Sequence, residues 1–398
     1  MKPPPWRLAL GAQAVLTQGA WVGVRIMVGY RALELGADAT LIGLAVACMA
    51  APALPLALPA GRMADRFGGA RVAATGMLTA AVGLVLLLVL PGLPVLFVAA
   101  TVCGLGYLLV MIGHQTFVSA VAQGRADAAF GTLSAAASLG QLIAPPVITV
   151  MASGVGAATA IRPDATGGLI ACLAFTLAAL PLHVGVRRAE RRRGLGLSRP
   201  PERASGSAGP GARSELLRAP GMWRALLVSG VVVVSLDMLF AFAPLWATER
   251  GVDANVLGLL LALRAAVAIV SRFGMSRLVE RLGRERLLIC CLVVAALAMV
   301  AMPLSGLAGA IVAMVALGVG LGIPQPVTMA WVVSLVAPQR AGQALGLRMV
   351  GNRLAQLVVP LTLSALLGFT GSIGMFLGTA AVLAGALPLV VRGRQAAD

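Results

Sequence analysis

Charge is scarce in this chain. Asp, Glu, Lys and Arg make up 11% of its 398 residues, against 59% hydrophobic. Soluble domains carry about 25% charged and about 45–50% apolar residues. A soluble fold of this composition would leave much apolar surface in water, so that class is excluded. Histidine occurs twice and cysteine five times. Cys48, Cys103, Cys172, Cys290 and Cys291 all fall within apolar runs and lack C-x-x-C spacing, so they read as small packing residues and no metal site is expected. Two separated histidines supply neither a nucleophile–base pair nor a ligand cluster, so no enzyme activity and no cofactor are expected. A P-loop is missing too, which leaves no sign of ATP hydrolysis.

What is abundant is apolar sequence in long runs, with a mean hydropathy of +0.95. Runs of about 20 apolar residues span about 30 Å of hydrocarbon as helix. Twelve candidate helices follow, near 8–33, 40–60, 71–91, 94–119, 131–153, 167–186, 223–248, 255–273, 286–304, 307–334, 343–367 and 371–391. The first run is too long for a signal peptide and reads as an uncleaved span. The expected organisation is an all-α membrane protein with a bundle over 1–186, a linker over 187–222 and a second bundle over 223–398. The linker is rich in Arg, Gly, Pro and Ser and cannot bury a core.

The net charge is +17. A basic balance can signal nucleic acid, but here the arginines sit between hydrophobic runs, so no nucleic-acid partner is expected. With the N-terminus placed inside, about 24 basic residues fall on the cytoplasmic side, against Arg31, Arg162 and Arg250 outside. This predicts a multi-pass protein of the cell inner membrane with both termini cytoplasmic.

The chain also repeats itself. "GADATLIGLAVA" from Gly36 matches "GVDANVLGLLLA" from Gly251 at six of twelve positions, an offset of 251 − 36 = 215. The same offset carries Asp65, Arg66, Gly68 and Arg71 onto Glu280, Arg281, Gly283 and Arg286, and Gly131, Gln141 and Pro145 onto Gly346, Gln356 and Pro360. One ungapped offset joining three regions makes the halves parallel repeats of six helices.

"GRMADRFGGAR", residues 61–71, concentrates charge between the second and third helices. Gly61 is expected to permit close helix approach, Asp65 to meet arginines or a helix N-terminus, and Gly68 to make the turn. Gly61, Asp65, Arg66, Gly68 and Arg71 resemble the signature loop of the major facilitator superfamily, G-x-x-x-D-R-x-G-R-[KR]. Gly69 departs from it, standing where the family often has arginine. The degenerate second copy holds Glu280, Arg281 and Gly283. The resemblance implies a secondary transporter with twelve transmembrane helices, working by alternating access. It also implies that Asp65 docks at the start of helix eleven, near Arg348, as part of a cytoplasmic gate, and that Glu280 meets the start of helix five near Gly131 and Thr132. Two further family motifs are incomplete. Gly104 and Gly106 lack the arginine expected four residues earlier, where Ala100 stands; Gly140 and Pro145 lack the closing glycines, replaced by Ile148 and Thr149.

Charges within spans are costly and tend to face a cavity or a partner. Gln18, Trp21 and Arg25 share a face of helix one, and Ser229 and Asp237 one of helix seven. The resemblance makes helices one, four, seven and ten line the path, so Arg25 and Asp237 are candidates for the substrate or proton path, or for a structural ion pair. Arg264, His114 and Gln115 are further candidates. Arg348, Asn352 and Gln356 share a face near the cytoplasmic end of helix eleven. Trp331 suits the cavity or plain packing, and His183 the surface. The expected partners are a small-molecule substrate, protons and the lipid bilayer, with the protein a monomer. An organic anion and a hydrophobic drug both stand as substrates, and a non-transporting membrane sensor of the same fold stands as the alternative from another class.

Overall fold

A computed structural model describes residues 5–121, 126–154, 163–192, 219–336 and 341–391. Regular structure among them is helical throughout: α1 (Pro5–Glu34), α2 (Ala39–Ala50), α3 (Ala53–Phe67), α4 (Gly69–Val89), α5 (Leu93–Val121), α6 (Ala126–Ser153), α7 (Ala165–Arg192), α8 (Met222–Arg250), α9 (Ala254–Phe273), α10 (Met275–Leu282), α11 (Arg284–Leu304), α12 (Leu307–Gly322), α13 (Pro324–Ser334), α14 (Ala341–Leu367), a 3-10 turn (Gly368–Thr370), α15 (Gly371–Gly385) and α16 (Leu387–Val391). The central part of the expected linker, with Arg125, Arg162 and Arg340, lies outside the described residues. The chain divides into two compact units. One takes Met1–Ala37, Leu44–Glu202 and Gly251–Ala262; the other takes Asp38–Gly43, Arg203–Arg250 and Leu263–Asp398.

All twelve expected helices are present, with differences that have local causes. The second is broken into α2 and α3 at Pro52, and the tenth into α12 and α13 at Pro324. Proline lacks the N–H that would continue the ladder, although Ile323 before Pro324 keeps helical angles, φ −74° and ψ −45°. The sixth runs on to Arg192, so the linker expected from Arg187 begins as helix. The expected loop over 61–71 shrinks to a single residue. Gly61, Asp65 and Arg66 lie on the last turns of α3, and Gly68 alone turns the chain, at φ +92°. Gly283 does the same between α10 and α11 at φ +76°. Positive φ is open to glycine at little cost. Gly36 and Gly251, also at positive φ, form a second pair at the same offset, so the repeat is written in the backbone as well as in the residues.

Ten stretches among the described residues are long and apolar enough to cross a membrane. One of them, Gln343–Val391, contains both α14 and α15. The first helix is not among the ten; Gln13, Gln18 and Arg25 interrupt its apolar run.

Within the first unit, α4 and α5 pack through a ladder of small residues. A Cβ on Gly69 would meet the carbonyl oxygen of Gly113 at 2.5 Å and the nitrogen of Phe117 at 2.6 Å. One on Gly76 would meet Gly106 O at 2.6 Å, and one on Gly83 would meet Cys103 Sγ at 2.6 Å and Ala99 O at 3.1 Å. Gly69, Gly76 and Gly83 are seven residues apart, as are Gly113, Gly106 and Ala99. Small residues let backbones approach closely where hydrocarbon gives helices no hydrophobic reason to associate. Gly69 therefore departs from the superfamily's arginine because α5 occupies the space. By contrast, a Cβ on Gly61 would meet nothing within 4 Å, so the expectation that Gly61 serves close packing is corrected.

Carboxylates close the helix ends. Glu34 Oε1 accepts from the Ala165 amide at 2.5 Å, at the N-terminus of α7. Glu249 accepts from the Ser372 amide at 3.1 Å and from its hydroxyl, at the N-terminus of α15. The two glutamates are 249 − 34 = 215 residues apart, the repeat offset. Each caps the last long helix of its half, where unpaired amides and the helix dipole favour an anion.

Candidate functional site

In the first unit the expected face of α1 is occupied as a column. Trp21 stacks on Tyr107 of α5 with ring centroids 4.1 Å apart and planes parallel. The Arg25 guanidinium carbon lies 4.7 Å from the Trp21 centroid. Tyr107 Oη donates to Gln18 Oε1 at 3.0 Å. Gln18, Trp21 and Arg25 are thus brought together, and Tyr107 joins them. One turn inward, Gln13 is fully buried. Its amide nitrogen donates to Ala179 O of α7 at 3.2 Å, and its Oε1 lies 3.1 Å from His114 Nε2. With the amide nitrogen committed as donor, His114 Nε2 carries the proton of that contact. Gln115 is partly exposed beside it, and His183, expected at the surface, is only partly exposed.

The second unit holds a polar seam between α8 and α14. Ser229 Oγ donates to Asn352 Oδ1 at 2.9 Å. Two turns along, Gln356 Nε2 donates to Asp237 Oδ2, and Arg353 Nη1 donates to Gln356 Oε1 at 3.0 Å. Asp237 is 4% exposed, so a carboxylate at the middle of α8 is linked through one amide to a guanidinium. Arg25 and Asp237 each find a partner within their own unit. Arg264 is also buried, its guanidinium carbon 5.2 Å from the Phe240 ring centroid. Arg348 Nη2 donates to Gln325 O at 3.3 Å and Thr328 Oγ1 at 3.4 Å. Arg272 reaches the same place, with Nε to Gly322 O at 3.3 Å and Nη2 to Gln325 Oε1 at 3.4 Å.

Around the signature turn, Asp65 and Arg66 are exposed, Arg71 is partly exposed and Gly68 is buried. The acid on the N-terminus of α4 is Glu190, near the end of α7. Glu190 is 6% exposed and accepts from the Ala70 amide at 3.2 Å. A Cβ on Gly68 would stand 2.7 Å from its Oε1. In the second copy Glu280, Arg281 and Gly283 are exposed. The side chains of Gly131 and Thr132, the expected partners of Glu280, lie outside the described residues.

Sequence reasoning missed Gln13, Tyr107, Glu190 and Gln325. Tyr107 follows Gly104 and Gly106 directly, a position the incomplete motif had already marked. Gln13 shows as an amide in an otherwise apolar run. Glu190 stood among arginines and read as linker. Gln325 had no signal beyond the neighbouring Pro324.

The profile of the Major Facilitator Superfamily matches residues 10–254 and 225–397. No curated protein sequence matches the chain. Among solved structures, a mutant of the nucleoside transporter NupG superposes with a TM-score of 0.78 at 12% identity, covering 98% of this chain and 99% of that one. Another structure of NupG gives 0.75 at 13% identity, covering 98% of each chain. A peptide transporter POT in complex with sulfate gives 0.71 at 17% identity, covering 99% of this chain and 94% of that one. At these identities the likeness is one of fold.

Proposed function

The chain belongs to the major facilitator superfamily, and from that premise we propose that it moves a small solute across the cell inner membrane by alternating access, coupled to protons, with both termini and the 187–222 linker in the cytoplasm. A nucleoside transporter and a peptide transporter share its fold, which supports a small-molecule substrate.

The observation that carries the proton-coupled reading is Asp237. A charge at mid-bilayer costs about 2.5–3.5 kcal/mol even on lenient insertion scales. A carboxylate kept there needs a use or a partner, and one partner here is a neutral amide whose other end rests on Arg353. Such an arrangement tolerates both protonation states: Gln356 donates to the carboxylate, and the protonated acid keeps an oxygen to accept the same bond. We assign Asp237 as proton carrier, the Trp21–Tyr107–Arg25 column as substrate contact on the first unit, and the Gly68 turn with Asp65 as part of the gate.

The test is transport in proteoliposomes with an imposed pH gradient. Asp237→Asn keeps an oxygen to accept the bond from Gln356. It should abolish gradient-driven accumulation while leaving solute exchange. Accumulation by this variant against a gradient removes the coupling role. In the same assay Asp65→Asn should lower the transport rate at unchanged expression, and an unchanged rate removes Asp65 from the gate.

A further inference from the structure

The two turn glycines share a backbone conformation and differ in what closes them. Beside Gly68 stands a carboxylate. Glu190 accepts from the Ala70 amide, and Arg71 lies within reach of its charge. Beside Gly283 the corresponding place is open, and a Cβ there would meet nothing within 4 Å. Ala70 and Arg71 answer across the 215-residue offset to Glu285 and Arg286. The first amides of a helix lack intrahelical partners, and the dipole favours an anion beside them. The first unit supplies that anion from its own chain. In the second, no carboxylate among the described residues accepts from the start of α11.

A recess of about 400 Å³ occupies the open place, walled by Leu282, Arg284, Glu285, Arg286, Leu288 and Trp331 around Gly283. Small-ligand pockets have about this size, roughly 300–1,000 Å³. Its donors have capacity to spare. Arg284 donates to the neutral Ser334 Oγ, Arg286 is exposed, and neither forms an ion pair among the described residues. Trp331 is 8% exposed, and its indole N–H has no hydrogen-bond partner among the described residues. Two arginines against one glutamate leave the recess with a single net positive charge. The recess also stands where spans end. One begins at Arg284, and another, Leu307–Ser334, ends one turn past Trp331. Arginine and tryptophan at a span end meet the headgroup layer. Leu282 on the wall is exposed, and so is Phe273 at the end of the preceding span. Such apolar surface suits hydrocarbon rather than water.

We infer that the recess at the Gly283 turn is a binding site for the phosphodiester headgroup of an anionic phospholipid. The phosphate takes the role that the Glu190 carboxylate has in the first unit, and caps α11 from outside the chain. Arg284, Arg286 and the first amides of α11 donate to it, as helix N-termini do to phosphate elsewhere. Trp331 N–H supplies a further donor, and Glu285 accepts from a headgroup hydroxyl. One net positive charge matches a singly anionic headgroup better than a zwitterionic one. The apolar wall takes the start of the acyl chains, which a free phosphate ion lacks.

The test uses the purified full chain in neutral detergent at fixed ionic strength. Phosphatidylglycerol, phosphatidylethanolamine, phosphatidylcholine and inorganic phosphate are titrated in turn. Native mass spectrometry counts the lipids bound per chain, and the unfolding midpoint is read in parallel. One phosphatidylglycerol should bind more tightly than either zwitterionic lipid and raise the midpoint. Arg284→Gln and Arg286→Gln should each weaken that binding about tenfold or more, the factor for losing a hydrogen bond to a charged group. Arg62→Gln, which removes an exposed arginine from α3, should leave it unchanged. Equal binding of the three lipids overturns the inference, as does undiminished binding of phosphatidylglycerol by either recess variant. Loss of binding in Arg62→Gln to the same degree also overturns it, because the attraction is then one of overall charge. Inorganic phosphate that displaces the lipid at millimolar concentration assigns the site to a soluble anion and removes the lipid. If Arg284→Gln does not fold, Arg286→Gln decides alone, since that side chain is exposed and has no partner among the described residues.

Discussion

At the scale of the residue, neighbouring glycines of the signature turn have different tasks. Gly69 is pressed against the α5 backbone, and Gly61 faces open space. Gly69→Ala has backbone atoms, not a flexible side chain, in its way, so the helices must separate. Overpacking of this kind costs about 1–3 kcal/mol or more. Gly61→Ala adds a methyl group where there is room and improves helix propensity. In detergent, Gly69→Ala should unfold at a clearly lower temperature than the native chain, and Gly61→Ala should match or exceed it. Equal midpoints for both variants would contradict the packing described for α4 and α5. None of this difference was legible from the sequence, where Gly61 is the motif glycine expected to pack closely and Gly69 only a departure from the motif. Which glycine is crowded depends on the helix lying opposite, and a single sequence does not say which helices meet. The same reason hid Tyr107 and Glu190. Helical spacing put Gln18, Trp21 and Arg25 on one face, and the structure keeps them there; the residue that face would meet came from another helix.

At the scale of the element, the helix ends carry a testable share of stability. Glu249 holds the start of α15 through the Ser372 amide and hydroxyl. Removing a capping group costs about 0.5–2 kcal/mol, and the charge adds to this through the helix dipole. Glu249→Ala should lower the unfolding midpoint more than Glu249→Gln, because glutamine retains an acceptor oxygen and loses only the charge. The same order should hold at Glu34, which caps α7 through Ala165. If both glutamines behave as their alanines, charge and not hydrogen bonding dominates the caps. The spans themselves were readable, because apolar length alone dictates them. Their interruptions were less so. Pro52 and Pro324 were visible, but a proline within a membrane helix can kink it, cap it or break it, and tertiary packing chooses among these.

At the scale of the whole molecule, the distribution of arginine makes the sharpest prediction. A reporter fused after Ser207 should behave as cytoplasmic; an external signal would invert the proposed topology and place the Gly68 and Gly283 turns outside. The repeat also separates what a half needs in order to be a bundle from what it needs in order to work. The turn glycines Gly68 and Gly283 remain identical across the offset, and so do the capping glutamates Glu34 and Glu249. Other positions have drifted apart. Gly69 answers to Arg284, Asp65 to Glu280, and Thr328 to the close-packed Gly113. Two descendants of one ancestral unit, free to diverge within a single chain, have kept a common construction and specialised in chemistry. Where the first packs Gly69 and Gly113 against facing backbone, the second carries the polar side chains of Arg284 and Thr328, and Thr328 accepts from Arg348.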